Sequence, residues 1–167
     1  MIKIIGKENI PNKPVIFVSN HPCSTDVWII PFLFRQAKIF IGRGFEIPIL
    51  SQALRLMGHI DCRNHTKKRA IDSAIEHISK GNSIWIFPEG KLSPDEGLHD
   101  FYNGYIKLHN ETGLDIVSIT LIPHNIIKIN DRLKLAFKYT IVVGNPTNSY
   151  IDIKEKIEEE MLKWQKL

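Results

Sequence analysis

Four short runs of β-branched and aromatic residues alternate with helical patterns along this chain: Val15 to Ser19 (VIFVS), Lys38 to Gly42 (KIFIG), Ser83 to Phe87 (SIWIF) and Ile116 to Ile122 (IVSITLI). Apolar runs of that length suit strands buried on both faces, the habit of a parallel sheet covered by helices. Thr66 to Lys80 is the clearest helix between them. Ala70, Ile71, Ala74, Ile75 and Ile78 form one apolar stripe, Thr66 stands where a cap belongs, and Gly81 terminates the run. Pro48 to Met57, closed by Gly58, puts Ile49, Leu50, Ala53, Leu54 and Met57 on one helical face. Thr25 to Arg35 is a helix that Pro31 bends or ends. Asn103 to Thr112 reads as a shorter helix, Arg132 to Val143 as a long strand or hairpin arm, and Asn148 to Leu167 as a charged amphipathic helix. The expected fold is α/β, a two-layer arrangement or sandwich with a largely parallel central sheet flanked by helices. No repeat, low-complexity tract or linker divides the 167 residues, so one domain over 1–167 is expected.

The totals exclude little. A formal net charge of +4 suits contact with anionic lipid, phosphate-bearing substrates or nucleic acid without choosing among them. No aromatic-basic stripe or known motif supports a nucleic-acid partner, and none is expected. Cys23 and Cys62 are too few for a disulfide framework, which points to a reducing, cytoplasmic setting. The most apolar run, Val27 to Phe34 (VWIIPFLF), is interrupted by Pro31 and far short of the roughly 20 residues that span a bilayer. The first 14 residues lack the apolar region and cleavage site of a signal peptide. Any membrane contact is therefore expected to be peripheral, on the inner membrane face. Trp28, Ile29, Ile30, Phe32, Leu33 and Phe34 could provide it, with Lys67, Lys68 and Arg69 toward anionic headgroups; the competing reading makes VWIIPFLF core and the basic run a solvated helix face.

Two polar clusters leave strands at the ends where ligands gather in open α/β sheets. The first is Ser19-Asn20-His21-Pro22-Cys23-Ser24-Thr25-Asp26. If the turn sets His21 just before a helix and Asp26 within its first two turns, the carboxylate can fold back onto one imidazole nitrogen. The other nitrogen then faces the cleft as a base, the logic of a Ser-His-Asp site without the protein's own nucleophile. The alternative is that Asp26 caps the helix and His21 is a turn residue. The second cluster is Phe87-Pro88-Glu89-Gly90-Lys91-Leu92-Ser93. Pro88 ends the ladder, Gly90 permits a tight turn, and Glu89 and Lys91 project toward a ligand or, alternatively, into solvent.

Asn20-His21 with Asp26, then Phe87-Pro88-Glu89-Gly90 with Ser93, resemble the first and third signature blocks of the glycerolipid acyltransferases, best known from the lysophosphatidic acid (1-acyl-sn-glycerol-3-phosphate) acyltransferases. Gly58 to Asn64 looks like the second block and Ile116 to Pro123 like the fourth, while Phe101 and Gly104 match the phenylalanine and glycine between the third and fourth. The resemblance runs from about Pro14 to about Pro146, and four blocks in order are specific where any one is not. It implies a glycerol-3-phosphate acyltransferase-like fold and transfer of a fatty acyl group to a lysophospholipid-type hydroxyl, a step of phospholipid biosynthesis. The implied donor is acyl-CoA or acyl-acyl carrier protein, a co-substrate, with no metal and no other cofactor. His21 would be the general base, Asp26 its orienting partner, Arg63 the phosphate ligand, and Asn20, Glu89, Gly90, Lys91 and Ser93 part of the substrate site. Backbone N–H groups of the histidine turn, or Lys91, would face the oxyanion.

Some positions depart from the pattern. Leu92 stands where an arginine is usual, Cys62 where an aspartate is common, and Tyr102 and Asn103 where basic residues are frequent. These bear on the acceptor more than on acyl transfer. They leave a non-phosphate lipid acceptor, a membrane-binding module of the same fold with reduced catalysis, and a thioesterase as competing readings. Cys23 as a thiol nucleophile and a metal at His59, Asp61, Cys62 and His65 both lack a supporting pattern; the latter reads as a surface turn.

Overall fold

The computed structural model describes residues 1–41, 48–62, 66–130 and 133–165. The expected strands form β2 (Ile16–Ser19), β3 (Ala37–Ile41), β5 (Ser83–Ile86) and β6 (Ile116–His124), with β4 (Ile60–Asp61) beside β3. Together with β1 (Ile2–Ile5) and β9 (Lys138–Val143) they make a seven-stranded sheet in the order β1-β9-β6-β2-β5-β3-β4. Five of its neighbouring pairs are parallel and only β6 with β9 is antiparallel. The largely parallel sheet is thus as the strand pattern predicts.

Alternation along β2 shows why helices must cover both faces. Val15, just before the strand, and Phe17 pack with Trp85, with Ile30 of α1 (Asp26–Leu33) and Phe34 that caps its C-terminus, and with Leu54 of α2 (Pro48–Leu56). Ile16 and Val18 point the other way. They meet Ile71 and Ala74 of α3 (Lys67–Ser79), Tyr105 and Leu108 of α4 (Gly104–Thr112), and Ile153 and Ile157 of α5 (Ile153–Gln165). At the centre, the indole N–H of Trp85 donates to Ser19 Oγ at 2.7 Å and ties β5 to β2 inside the core.

Local signals act largely as read. Thr66 accepts a hydrogen bond from the Arg69 N–H and caps α3, and Gly81 takes the left-handed turn that ends it. Pro31 lies inside α1, which continues for two residues beyond it. The VWIIPFLF run is core: Ile30, Pro31 and Phe34 are buried and Val27, Trp28, Ile29 and Leu33 pack against the core, leaving Phe32 73% exposed. Met57 is also exposed, off the buried face of α2. The described helices include none long and apolar enough to cross a membrane.

Three elements differ from expectation. β1 carries no strand signal because it is an edge strand with two exposed residues and no alternation. The expected arm over 132–143 is two strands: β8 (Leu133–Leu135) pairs with β7 (Ile127–Asn130) in a separate ribbon, and the chain bends at Ala136 before joining the main sheet as β9. Ala136 is drawn onto Thr25, exchanging N–H and C=O contacts with its hydroxyl, which a continuous strand would not allow. The terminal helix begins only at Ile153, because Thr147 bridges to Ile116 and Asp152 adopts φ +62°.

Candidate active site

β2 and β5 are adjacent parallel strands in register Ile16 with Ile84, Phe17 with Trp85 and Val18 with Ile86, so the two corners that follow them emerge side by side. Residues 68 apart are joined directly. The His21 N–H lies 3.1 Å from both Glu89 Oε1 and Ser93 Oγ, and the Ser93 N–H donates to the His21 carbonyl at 2.8 Å.

Asp26 opens α1 and is fully buried at its side chain. Its Oδ2 accepts from His21 Nδ1 at 3.0 Å and from the Cys23 N–H at 2.9 Å, and its Oδ1 from the Tyr139 hydroxyl at 2.6 Å. With the carboxylate as acceptor, the shared proton belongs to Nδ1, and in the neutral imidazole Nε2 is then the nitrogen that carries the lone pair. Nε2 has no hydrogen-bond partner among the described residues. The ring, 15% exposed, stacks on Phe87 with centroids 4.1 Å apart, which limits its rotation. Asp26 therefore does hold the imidazole, and it also closes the turn at Cys23.

The other expected site residues divide by exposure. Asn20 is buried and continues the β2–β6 ladder with its side chain, donating to the Leu121 carbonyl at 2.9 Å and accepting from the Leu121 N–H at 2.8 Å. Glu89, expected to project toward a ligand, is 1% exposed and points inward. It accepts from the His21 N–H, from Ser93 Oγ at 2.5 Å and from the His99 N–H at 2.9 Å. Ser93 is buried in the same network, whereas Gly90 and Lys91 are exposed at the corner. Gly90 has φ +67°, and a Cβ there would sit 3.1 Å from the Tyr102 ring. Arg63 and His65 lie outside the described residues.

Three amides of the histidine turn are already engaged. The N–H groups of His21, Cys23 and Ser24 donate to Glu89 and Ser93, to Asp26, and to the Lys134 carbonyl respectively, and Pro22 has none. Those three amides are spent on the turn's own architecture. Cys23 is buried, and desolvation together with the Asp26 charge pushes its thiol up to about 12, far from a thiolate nucleophile.

His59 is no surface residue. It is buried, accepting the Ile39 N–H on Nδ1 at 3.2 Å, with Nε2 unpartnered among the described residues. Burial, then Lys38 and His77, depress its pKa from 6.5 to about 4. Protonation would cancel the bond from Ile39, so the fold holds His59 neutral while the unfolded chain protonates it readily. This contribution is complete above about pH 6.5 and is lost as pH falls toward 4, up to roughly 3 kcal/mol. Urea unfolding at pH 7 and pH 4.5 should show the loss, and His59→Asn should flatten it; an unchanged slope in that variant would refute the assignment. Among the described residues no group of three His, Cys, Asp or Glu is placed to hold a metal.

Tyr139, Lys134 and His99 join this network with no motif to mark them, and Thr25 joins it from within the first cluster. Lys134 is nearly buried, its ammonium 3.0 Å from the Ser93 carbonyl and 2.7 Å from Asp95, whose carboxyl is held down at about 2 by Lys134 and Lys128.

The family model described as acyltransferase matches residues 1–126. The chloroplastic 1-acyl-sn-glycerol-3-phosphate acyltransferase LPAT1 of Arabidopsis thaliana is 33% identical over 126 residues, 72% of this chain and 35% of that protein. A 1-acyl-sn-glycerol-3-phosphate acyltransferase of Borreliella burgdorferi is 33% identical over 132 residues, 74% of this chain and 53% of that protein. The chain thus spans about a third to a half of these curated relatives. In fold it is similar to the crystal structure of the 1-acyl-sn-glycerophosphate acyltransferase PlsC from Thermotoga maritima. The TM-score is 0.75 at 21% identity, over 99% of this chain and 70% of that one.

Proposed function

The chain belongs to the acyltransferase family, and on that premise we propose that it transfers a fatty acyl group from acyl-CoA or acyl-acyl carrier protein to a hydroxyl of a lysophospholipid-type acceptor, a step of phospholipid synthesis. The observation that carries this reading is the His21–Asp26 pair at 3.0 Å, with Nε2 unbonded among the described residues and the ring stacked on Phe87 at the neighbouring corner.

An alcohol loses its proton far above neutral pH, so attack on a thioester needs a base that removes it as the bond forms. His21 Nε2 takes the acceptor hydroxyl's proton while the oxygen adds to the thioester carbonyl. The tetrahedral oxyanion collapses, the carbon–sulfur bond breaks, and the imidazolium returns its proton to the departing thiolate. The products are an ester and a free thiol, and no acyl-enzyme is formed. With the amides of His21, Cys23 and Ser24 occupied, Lys91, exposed at the corner, and the Thr25 N–H are the candidates for the oxyanion. Arg63 would bind the acceptor's phosphate. The co-substrate thioester supplies the activated group, so the scheme calls on no metal or prosthetic group. A membrane-lipid acceptor supports the reading that the protein works peripherally at a cytoplasmic membrane face.

Leu92, standing where the family usually carries an arginine, favours as a second reading a lipid acceptor without a phosphate. Purified protein, acyl-CoA or acyl-acyl carrier protein, and a panel of lysophosphatidic acid, other lysolipids and neutral lipid alcohols separate the two. Thiol release is expected to depend on the acceptor. Equal release without acceptor would make the protein a thioesterase and sink the proposal.

A further inference from the structure

The hydrogen bonds at Asp26 raise a question that the His21–Asp26 pair alone does not answer: what holds the carboxylate in its plane. One oxygen, Oδ2, serves both His21 Nδ1 and the Cys23 N–H. Two donors on a single oxygen leave the other free to swing. The hydroxyl of Tyr139, 113 residues away on β9, occupies it at 2.6 Å. The same phenol oxygen lies 2.8 Å from Thr25 Oγ1, which Ala136 brackets with its N–H and carbonyl.

We propose that Tyr139 is a positioning residue for the His21 base: through Asp26 Oδ1 it sets the plane of the carboxylate that orients the imidazole. The inference rests on the acyl-transfer reading for its kinetic consequence and on geometry alone for its structural one. Tyr139 is 2% exposed and Asp26 1%, so water cannot replace the bond if it is lost. Burial and the Asp26 charge push the phenol's pKa up, so it remains an O–H donor wherever the enzyme works. The placement is also tertiary in origin. Tyr139 lies beyond residue 126, where the family match ends, and reaches the site because β9 runs antiparallel beside β6, with Tyr139 opposite Pro123.

The test is Tyr139→Phe, which keeps the ring and removes the donor. In steady-state kinetics kcat is expected to fall about 10-fold, equivalent to about 1.4 kcal/mol, with KM unchanged. Without the phenol the carboxylate acts undiluted on the imidazole, so the acid limb of the kcat profile should move to higher pH. Independently of activity, the downfield proton resonance of His21 Nδ1–H, assigned by its absence in His21→Gln, should shift or broaden. Where Tyr139→Phe folds poorly, a ring-fluorinated tyrosine at 139, a stronger donor of the same shape, should move the acid limb the opposite way. An unmoved resonance or an unmoved kcat overturns the proposal. If the wild type turns over no acceptor, the function fails on its own and the resonance alone decides the role of Tyr139.

Discussion

Replacing His21 by alanine is expected to lower acceptor-dependent thiol release about 10²–10⁴-fold while leaving the thermal midpoint nearly unchanged. The two outcomes separate because His21 does two jobs with different atoms. Its main chain fastens the two corners together, through N–H to Glu89 and Ser93 and carbonyl to the Ser93 N–H, and alanine keeps all of these. Its side chain supplies only the imidazole, stacked on Phe87 and bonded to Asp26. Asp26 retains the Cys23 N–H and the Tyr139 hydroxyl after the change, so its carboxylate is not orphaned. Release that survives at the wild-type rate would remove His21 from the chemistry, however well the dyad is formed.

Glu89→Ala is expected to do the reverse in emphasis: a loss of about 2–4 kcal/mol of stability, a fall in melting temperature on the order of 10 °C, and a loss of activity that follows from it. Three donors converge on this buried carboxylate, two of them backbone N–H groups that the fold cannot redirect. Removing it leaves the His99 N–H and the Ser93 hydroxyl without this acceptor and the His21 N–H with Ser93 Oγ alone. The experiment also decides between two roles for the residue. If activity vanishes while the melting temperature holds, Glu89 meets substrate; if the two fall together, it holds the corner against the histidine turn. The buried geometry leads us to expect the second result.

Much of this molecule was legible before its coordinates. β2 and β5 announce themselves because a five-residue apolar run has few other uses, and α3 because its stripe is flanked by a cap and a glycine. The Asn20 to Asp26 and Phe87 to Ser93 corners stand out because polar residues cluster where buried strands stop. What those corners contain was less legible. Exposure is not written locally in a charged turn, so Glu89 and Lys91 look alike in sequence, yet one is sealed inside and the other faces solvent. β1 is too short and too exposed to carry a pattern. Tyr139 and Lys134 look like ordinary residues of a terminal arm.

The amino-acid order by itself determined the alternating strands and helices and the separation of His21 from Asp26, since these rest on local periodicity and turn chemistry. Only the tertiary structure decided that His21 and Glu89 share one hydrogen-bond network, that the amides of His21, Cys23 and Ser24 are spent inside the protein, and that a tyrosine from β9 completes the carboxylate's partners. The physical reason is that hydrogen-bond satisfaction in a buried site is settled among groups up to 113 residues apart, and their meeting depends on sheet order and register, which no short stretch of chain encodes.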